Sequence, residues 1–228
     1  MRFLEVTFQT MALIPMKEFY VDVLGLTEIE ADENSFAVKI GTEILRFTTA
    51  TTDGTPRYHF AINIPENQVT EAEAWLEQWV ELLPFKDRNC IDFPDWNAKA
   101  LYFHDPAGNI VEFIARHDLP NAHHGPFGAH CLLNLSEVGL TVPSTLQFAT
   151  QIRAAFGVKV WERSTVASTF AALGTGDRLL IVSRINRNWF PTGVPGLPWP
   201  MELVMEGDEN KVWEHPELPY RFETRPAS

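Results

Sequence analysis

Residues 35–45 read Ser-Phe-Ala-Val-Lys-Ile-Gly-Thr-Glu-Ile-Leu, and residues 169–180 read Thr-Phe-Ala-Ala-Leu-Gly-Thr-Gly-Asp-Arg-Leu-Leu. Phe36 follows Glu5 by 31 residues and Phe170 follows Glu137 by 33, so strand-like segments recur at nearly the same interval. Internal repetition of this kind fixes an architecture better than local propensity does, because each repeat is one supersecondary unit. Upstream of the first copy, residues 3–9 alternate. Leu4, Val6 and Phe8 are placed on one face, and Phe3, Glu5, Thr7 and Gln9 on the other. Pro15 opens a helix that runs to Leu24 and stops at Gly25. Strands follow around 27–31, 35–40 and 43–48, giving the order βαβββ.

The order returns in residues 57–117. Residues 58–64 form a strand with Tyr58, Phe60, Ile62 and Ile64 facing one way and His59, Ala61 and Asn63 the other. A helix is predicted over 69–83, ended by Pro84, with strands near 89–92, 99–103 and 109–115. Asp105-Pro106-Ala107-Gly108 is a turn between the last two. A linker over 118–130, rich in Pro, Gly and His, leads to a third copy over 131–190. Its first strand, 135–142, carries Glu137, Gly139 and Thr141 on one face, and its helix, 146–156, ends at Gly157. A fourth copy has room only in the tail, 191–228, where one strand from Met201 is expected.

The fold class is therefore α+β, built from tandem βαβββ modules. With 45% hydrophobic residues the chain can bury a core unaided. A net charge of −12, with no Lys/Arg cluster, argues against nucleic-acid and anionic-membrane partners. Cys90 and Cys131 form no CxxC spacing, which suits reduced thiols. The alternating start reads as a strand rather than a leader, and no apolar run reaches the length of a membrane span. Cytoplasm is the default expectation.

Phe19-Tyr20-Val21-Asp22-Val23-Leu24-Gly25-Leu26, and His104-Asp105-Pro106-Ala107-Gly108-Asn109-Ile110-Val111-Glu112-Phe113 some 80 residues later, resemble the vicinal oxygen chelate superfamily (glyoxalase I, bleomycin- and fosfomycin-resistance proteins, extradiol dioxygenases). The resemblance covers residues 1–116 well and reaches more weakly to about 190. It implies that modules 1–56 and 57–117 pair into a half-open barrel, with the third module and a vestigial fourth beside it. It also implies metal ligands on the first and last strands of each module. Those positions are Glu5 and Arg46 in the first module, His59 and Glu112 in the second, and Glu137 and Ile181 in the third.

Glu5, His59 and Glu112 each interrupt an apolar strand, and a buried charge needs a cation or a hydrogen-bonding partner. One imidazole and two carboxylates suit Fe(II), Mn(II), Zn(II) or Mg(II). The expected metal set is Glu5, His59 and Glu112, with Glu5 or Glu112 doubling as the proton-transfer base. Arg46, Asn63 and Thr7 are expected to bind substrate. The competing reading has no metal: Glu5 pairs with Arg46, and His59 is satisfied by hydrogen bonds. Glu137 reads as structural, His104 as a loop residue, and His117, His123, His124 and His130 as solvated linker. Trp189, Phe190, Trp199 and Trp213 read as packing.

Two functions follow from the resemblance. The first is a metal-dependent enzyme of the dioxygenase, lyase or isomerase range, acting on a small oxygenated, possibly aromatic, substrate that chelates the metal. The second is a non-catalytic protein that sequesters a small molecule. A homodimer is expected on the ground that the third module's sheet lacks a partner within the chain.

Overall fold

The computed structural model describes residues 1–226; the last two residues of the expected tail, 227–228, lie outside the described residues. The chain forms fourteen strands and three α-helices among the described residues. The first module is β1 (Phe3–Thr10), α1 (Leu13–Glu18, continued by a wide turn over Phe19–Val23), β2 (Thr27–Ala31), β3 (Ser35–Ile40) and β4 (Glu43–Thr49). The second is β5 (His59–Ile64), α2 (Val69–Leu76), β6 (Ile91–Phe93), β7 (Ala98–His104) and β8 (Ile110–Arg116). The third is β9 (Asn134–Val142), α3 (Thr145–Phe156), β10 (Phe170–Thr175) and β11 (Arg178–Arg184). Then come β12 (Met201–Glu206), β13 (Lys211–Glu214) and β14 (Tyr220–Arg225). The tail thus supplies three strands, not one. α2 is shorter than its sequence pattern suggests: it ends at Leu76, ahead of Pro84.

The strands build two seven-stranded sheets, in the orders β13-β14-β12-β1-β4-β3-β2 and β10-β11-β9-β5-β8-β7-β6. The first module therefore shares a sheet with the tail strands, and the second shares one with the third. The pairing of residues 1–56 with 57–117 into one barrel is not what the chain does. The free edge of β5 is taken by antiparallel β9, and the free edge of β1 by antiparallel β12. The physical reason is burial. Every residue of β5, and all of β9 but its first, is at or near zero exposure, so each needs covering on both faces. In β1 alternate residues stay half-exposed.

The two sheets meet through one core. Phe8 of β1 stacks on Tyr58 at 4.3 Å between ring centroids and lies 5.3 Å from Phe60 of β5. Residues of α1, α2 and α3, among them Met16, Leu76 and Phe148, join the same cluster. A β-bulge between Phe3 and Glu5 turns Phe3 into this core, so Phe3 shares a side with Val6 and Phe8, against the simple alternation. Polar ties lock the sheets together. Tyr20 Oη donates to Asp105 Oδ2 at 3.0 Å, joining the two motif stretches quoted above. Glu43, fully buried at the β3–β4 turn, accepts from Leu135 N and Arg178 Nε, both at 2.6 Å. Gly41 in that turn has φ +59°, and a Cβ there would lie 1.8 Å from the Leu133 carbonyl oxygen.

The homodimer expectation rested on an unpaired third-module sheet; that edge is filled within the chain by β5. No helix among the described residues is long and apolar enough to cross a membrane.

Candidate metal centre

His59 opens β5, Glu112 lies in the middle of β8, and Glu137 lies in β9. In register, Ala61 of β5 sits opposite Glu112 on one side and Glu137 on the other. All three side chains consequently leave the same face of the sheet. That face is away from the inter-sheet core, which takes Phe60, Val111, Phe113 and Val138 instead. Ligand atoms of His59, Glu112 and Glu137 lie within 4.8 Å of one another. His59 Nε2 is 3.6 Å from Glu112 Oε2 and 3.7 Å from Glu137 Oε2. The three side chains are 3–6% exposed, so water screens almost nothing.

The imidazole is oriented for ligation. His59 Nδ1 is 3.1 Å from the Ile110 carbonyl oxygen, which can only accept, so Nδ1 donates there and Nε2 is the ring nitrogen turned toward the two carboxylates. Trp189 covers the ring with centroids 5.1 Å apart. Gly139 makes that approach possible, since a Cβ there would be 2.7 Å from the His59 carbonyl oxygen and 2.9 Å from the Trp189 ring.

Charge is only partly balanced. Arg116, 2% exposed, donates from Nη2 to Glu137 Oε1 and from Nε to Ser136 Oγ at 3.1 Å, and it lies 5.6 Å from the ring centroids of Trp96 and Trp161. Glu137 is thereby neutralised, and Glu112 has no cation of its own. Burial pushes the Glu112 carboxyl well above the usual range, and the neighbouring Glu137 charge adds to the effect; Tyr102 and Arg116 oppose it. One imidazole nitrogen and two buried carboxylates converging on one point, with one arginine for the two carboxylates, fit a divalent cation. The one-imidazole, two-carboxylate donor set is that of a borderline-to-hard metal.

Glu5 is elsewhere. It lies on β1 in the other sheet, where Arg46 Nε donates to its Oε1 at 2.6 Å and Arg46 Nη2 to Glu30 Oε2 at 3.1 Å. The expected set Glu5, His59, Glu112 is not brought together; Glu137, read from sequence as structural, stands where Glu5 was expected. The error has one source. The first strands pair by sheet, and the sheet joins the second module to the third. Thr7 lines a separate cleft of about 320 Å³ on the first sheet, with Gln9, Glu202 and Arg221. Asn63 is buried and donates to the Asp177 carbonyl at 2.9 Å, outside the cavity above His59. His104, read as a loop residue, is the exposed last residue of β7, paired with Ile110. Linker residues His123 and His130 come together with Cys131, their ligand atoms within 4.8 Å, rather than standing apart in solvent.

Above the three ligands opens a cavity of about 300 Å³ walled by Phe93, Trp96, Tyr102, Phe170, Trp189 and Phe190, with Arg187 at its lining. Trp189 and Phe190 are therefore cavity wall as well as packing. Their strand-like spacing from the modules gave no sign of this, since the 186–196 segment reaches the site by folding back on itself, with Trp189 N donating to Val194 O and Gly196 N to Arg187 O.

No family model matches the sequence, and no curated protein matches it either. Solved structures do match in fold. A putative dioxygenase from Bacillus subtilis subsp. subtilis str. 168 superposes with a TM-score of 0.66 at 15% identity, over 100% of this chain and 86% of that one. Glyoxalase I from Zea mays superposes with a TM-score of 0.59 at 15% identity, over 98% of this chain and 91% of that one. At such identities the likeness is one of fold: the chain has the glyoxalase/dioxygenase fold of βαβββ modules, along its full length.

Proposed function

We propose that the chain is a metal-dependent enzyme of the glyoxalase/dioxygenase fold, acting on a small oxygenated substrate above His59, Glu112 and Glu137. The observation that carries this reading is the convergence of His59 Nε2 and two buried carboxylates, with a single arginine beside them, at the floor of an aromatic cavity. The full-length likeness to folds named dioxygenase and glyoxalase I supports it. His59, Glu112 and Glu137 would hold the metal, which when bound acts as a Lewis acid toward substrate oxygens.

The chain's own groups set the rest. The Ile110 carbonyl fixes the His59 tautomer. Arg116 holds the Glu137 carboxyl group in position by a hydrogen bond to Oε1. Glu112, the carboxylate without an arginine hydrogen bond and with the Tyr102 hydroxyl beside it, is the group placed to take and return a proton. The aromatic wall makes the surroundings of these side chains largely apolar.

Elemental analysis of protein purified without chelator is expected to show close to one divalent metal per chain. The metal is expected to be lost in His59→Ala, Glu112→Ala and Glu137→Ala and kept in Glu5→Ala. Cys131→Ser separates this centre from the linker cluster. Metal retained by all three ligand variants would overturn the assignment. Metal-free protein that nonetheless binds aromatic ligands would favour the second reading, sequestration, which the aromatic cavity also suits.

A further inference from the structure

Arg187 is half-buried in the lining of the cavity, its guanidinium carbon 5.2 Å from the Phe170 ring centroid. Its backbone is held on both sides, the N–H donating to Arg184 O and the carbonyl accepting from Gly196 N, each at 3.0 Å. Among the described residues no carboxylate stands within ion-pair distance of its side chain; Arg57, Arg88, Arg153 and Arg184 are likewise unpaired, but of these five only Arg187 lines the cavity. A guanidinium fixed over a ring, in a protein of net charge −12, without an acidic partner, leaves a planar fork free for an anion. Between it and His59, Glu112 and Glu137 the walls are aromatic, with His59 and Tyr102 rings near parallel at 24° and Phe190 edge-on to Tyr102 at 82°. Stacking and edge contacts of this kind favour a flat ring.

Resting on the function proposed above, we infer that the cavity takes a planar aromatic carboxylate: its oxygenated edge toward His59, Glu112 and Glu137, its carboxylate on Arg187. A volume of about 300 Å³ suits a single substituted ring. Arg187 is thus the group that selects acids over neutral analogues, and it acts apart from the metal ligands.

The test compares 3,4-dihydroxybenzoate with 3,4-dihydroxybenzamide, which keeps the ring and both hydroxyls but carries no charge. Binding to the protein as purified is followed by quenching of tryptophan fluorescence, since Trp96 and Trp189 line the cavity. The acid is expected to bind about ten-fold tighter, the worth of a charge-assisted hydrogen bond. R187Q is expected to bring the acid down to the level of the amide, and R187K to keep part of the preference. Equal affinity for the two ligands, an acid preference that survives R187Q, or no binding of either at millimolar concentration would overturn the inference. His59→Gln keeps the two ideas distinguishable. It is expected to weaken both ligands alike while leaving their ratio. An unchanged affinity for both, with the ratio still dependent on Arg187, would remove the metal-centre reading and leave the anion subsite.

Discussion

The molecule carries the same set of positions twice, once on each sheet, and fills them with opposite chemistry. On the second sheet, His59 opens the strand, and Glu112 and Glu137 flank Ala61. On the first sheet, Glu5 takes the place of His59, and Arg46 and Glu202 flank Thr7 in the same register. Where one face has a carboxylate at Glu112, the other has a guanidinium at Arg46. The guanidinium closes its own network, Glu5–Arg46–Glu30, and a second one runs Glu202–Arg221–Glu223. Surroundings differ as well. Glu5 and Arg46 are about a fifth exposed, while His59, Glu112 and Glu137 are buried, with Trp189 against the His59 ring and Tyr102, Ile114 and Ile181 around them. One scaffold thus gives a charge-satisfied cleft on one side and a charge-deficient dry pocket on the other. The cation proposed above has a place only on the second face, where the protein's own arginines leave one carboxylate unpaired.

The largest effect that tests this contrast is on metal affinity. Glu137→Gln or His59→Gln is expected to weaken Mn(II) or Zn(II) binding by more than about 100-fold, beyond what second-shell changes typically cost. Glu5→Gln or Glu202→Gln is expected to leave it unchanged. Isothermal titration with the metal alone reads both arms, and a comparable loss in Glu5→Gln would erase the distinction between the faces. Next comes Arg116→Met. It strands Glu137 as an unpaired buried charge and is expected to cost about 3–5 kcal/mol in urea unfolding of the metal-free protein. Saturating metal should recover part of that loss.

The third effect is on pH. Glu112 holds its proton more tightly folded than unfolded, because burial and the Glu137 charge raise its pKa. A carboxyl raised in the folded state contributes most below its unfolded pKa's neighbourhood of 4.5, and stability falls as pH climbs from there toward the raised value. Metal-free protein should therefore lose stability between mildly acidic and neutral pH. Glu112→Gln should flatten that loss. Glu43 and Asp105, each pushed up to about 6 by burial, act with the same sign and leave some slope behind. A slope unchanged in Glu112→Gln would contradict the charge-deficient picture. Smallest is Arg46→Met, which breaks a part-exposed pair and is expected to cost no more than about 1 kcal/mol, without change in metal binding.

Much of the architecture was legible before any coordinates. The strand–helix–strand order, the faces of β5 and the turn at Asp105 follow from alternation and from Gly and Pro placement. His59 and Glu112 stand out because a polar side chain inside an apolar strand must find a partner. Glu137 offered the same signal, on the strand-face of Gly139 and Thr141, and was set aside because no fourth module seemed to complete its site. In the fold its neighbours at that face, His59 and Glu112, come from the second module. Arg116 and Trp189 were hidden for different reasons. Arginine at a strand end usually marks solvent, and Trp189 reaches the site through a loop whose path no periodicity encodes.

Local chemistry in the chain determined the modules, because burial of alternate side chains acts over a few residues and leaves its period in the sequence. Which module lies beside which was decided only in three dimensions. Any of the four first strands offers a neighbouring strand much the same ladder of N–H and C=O groups, so hydrogen bonding alone does not discriminate among edges. Covering both faces of β5 and β9 does, and that choice carried Glu137 to His59 and left Glu5 with Arg46.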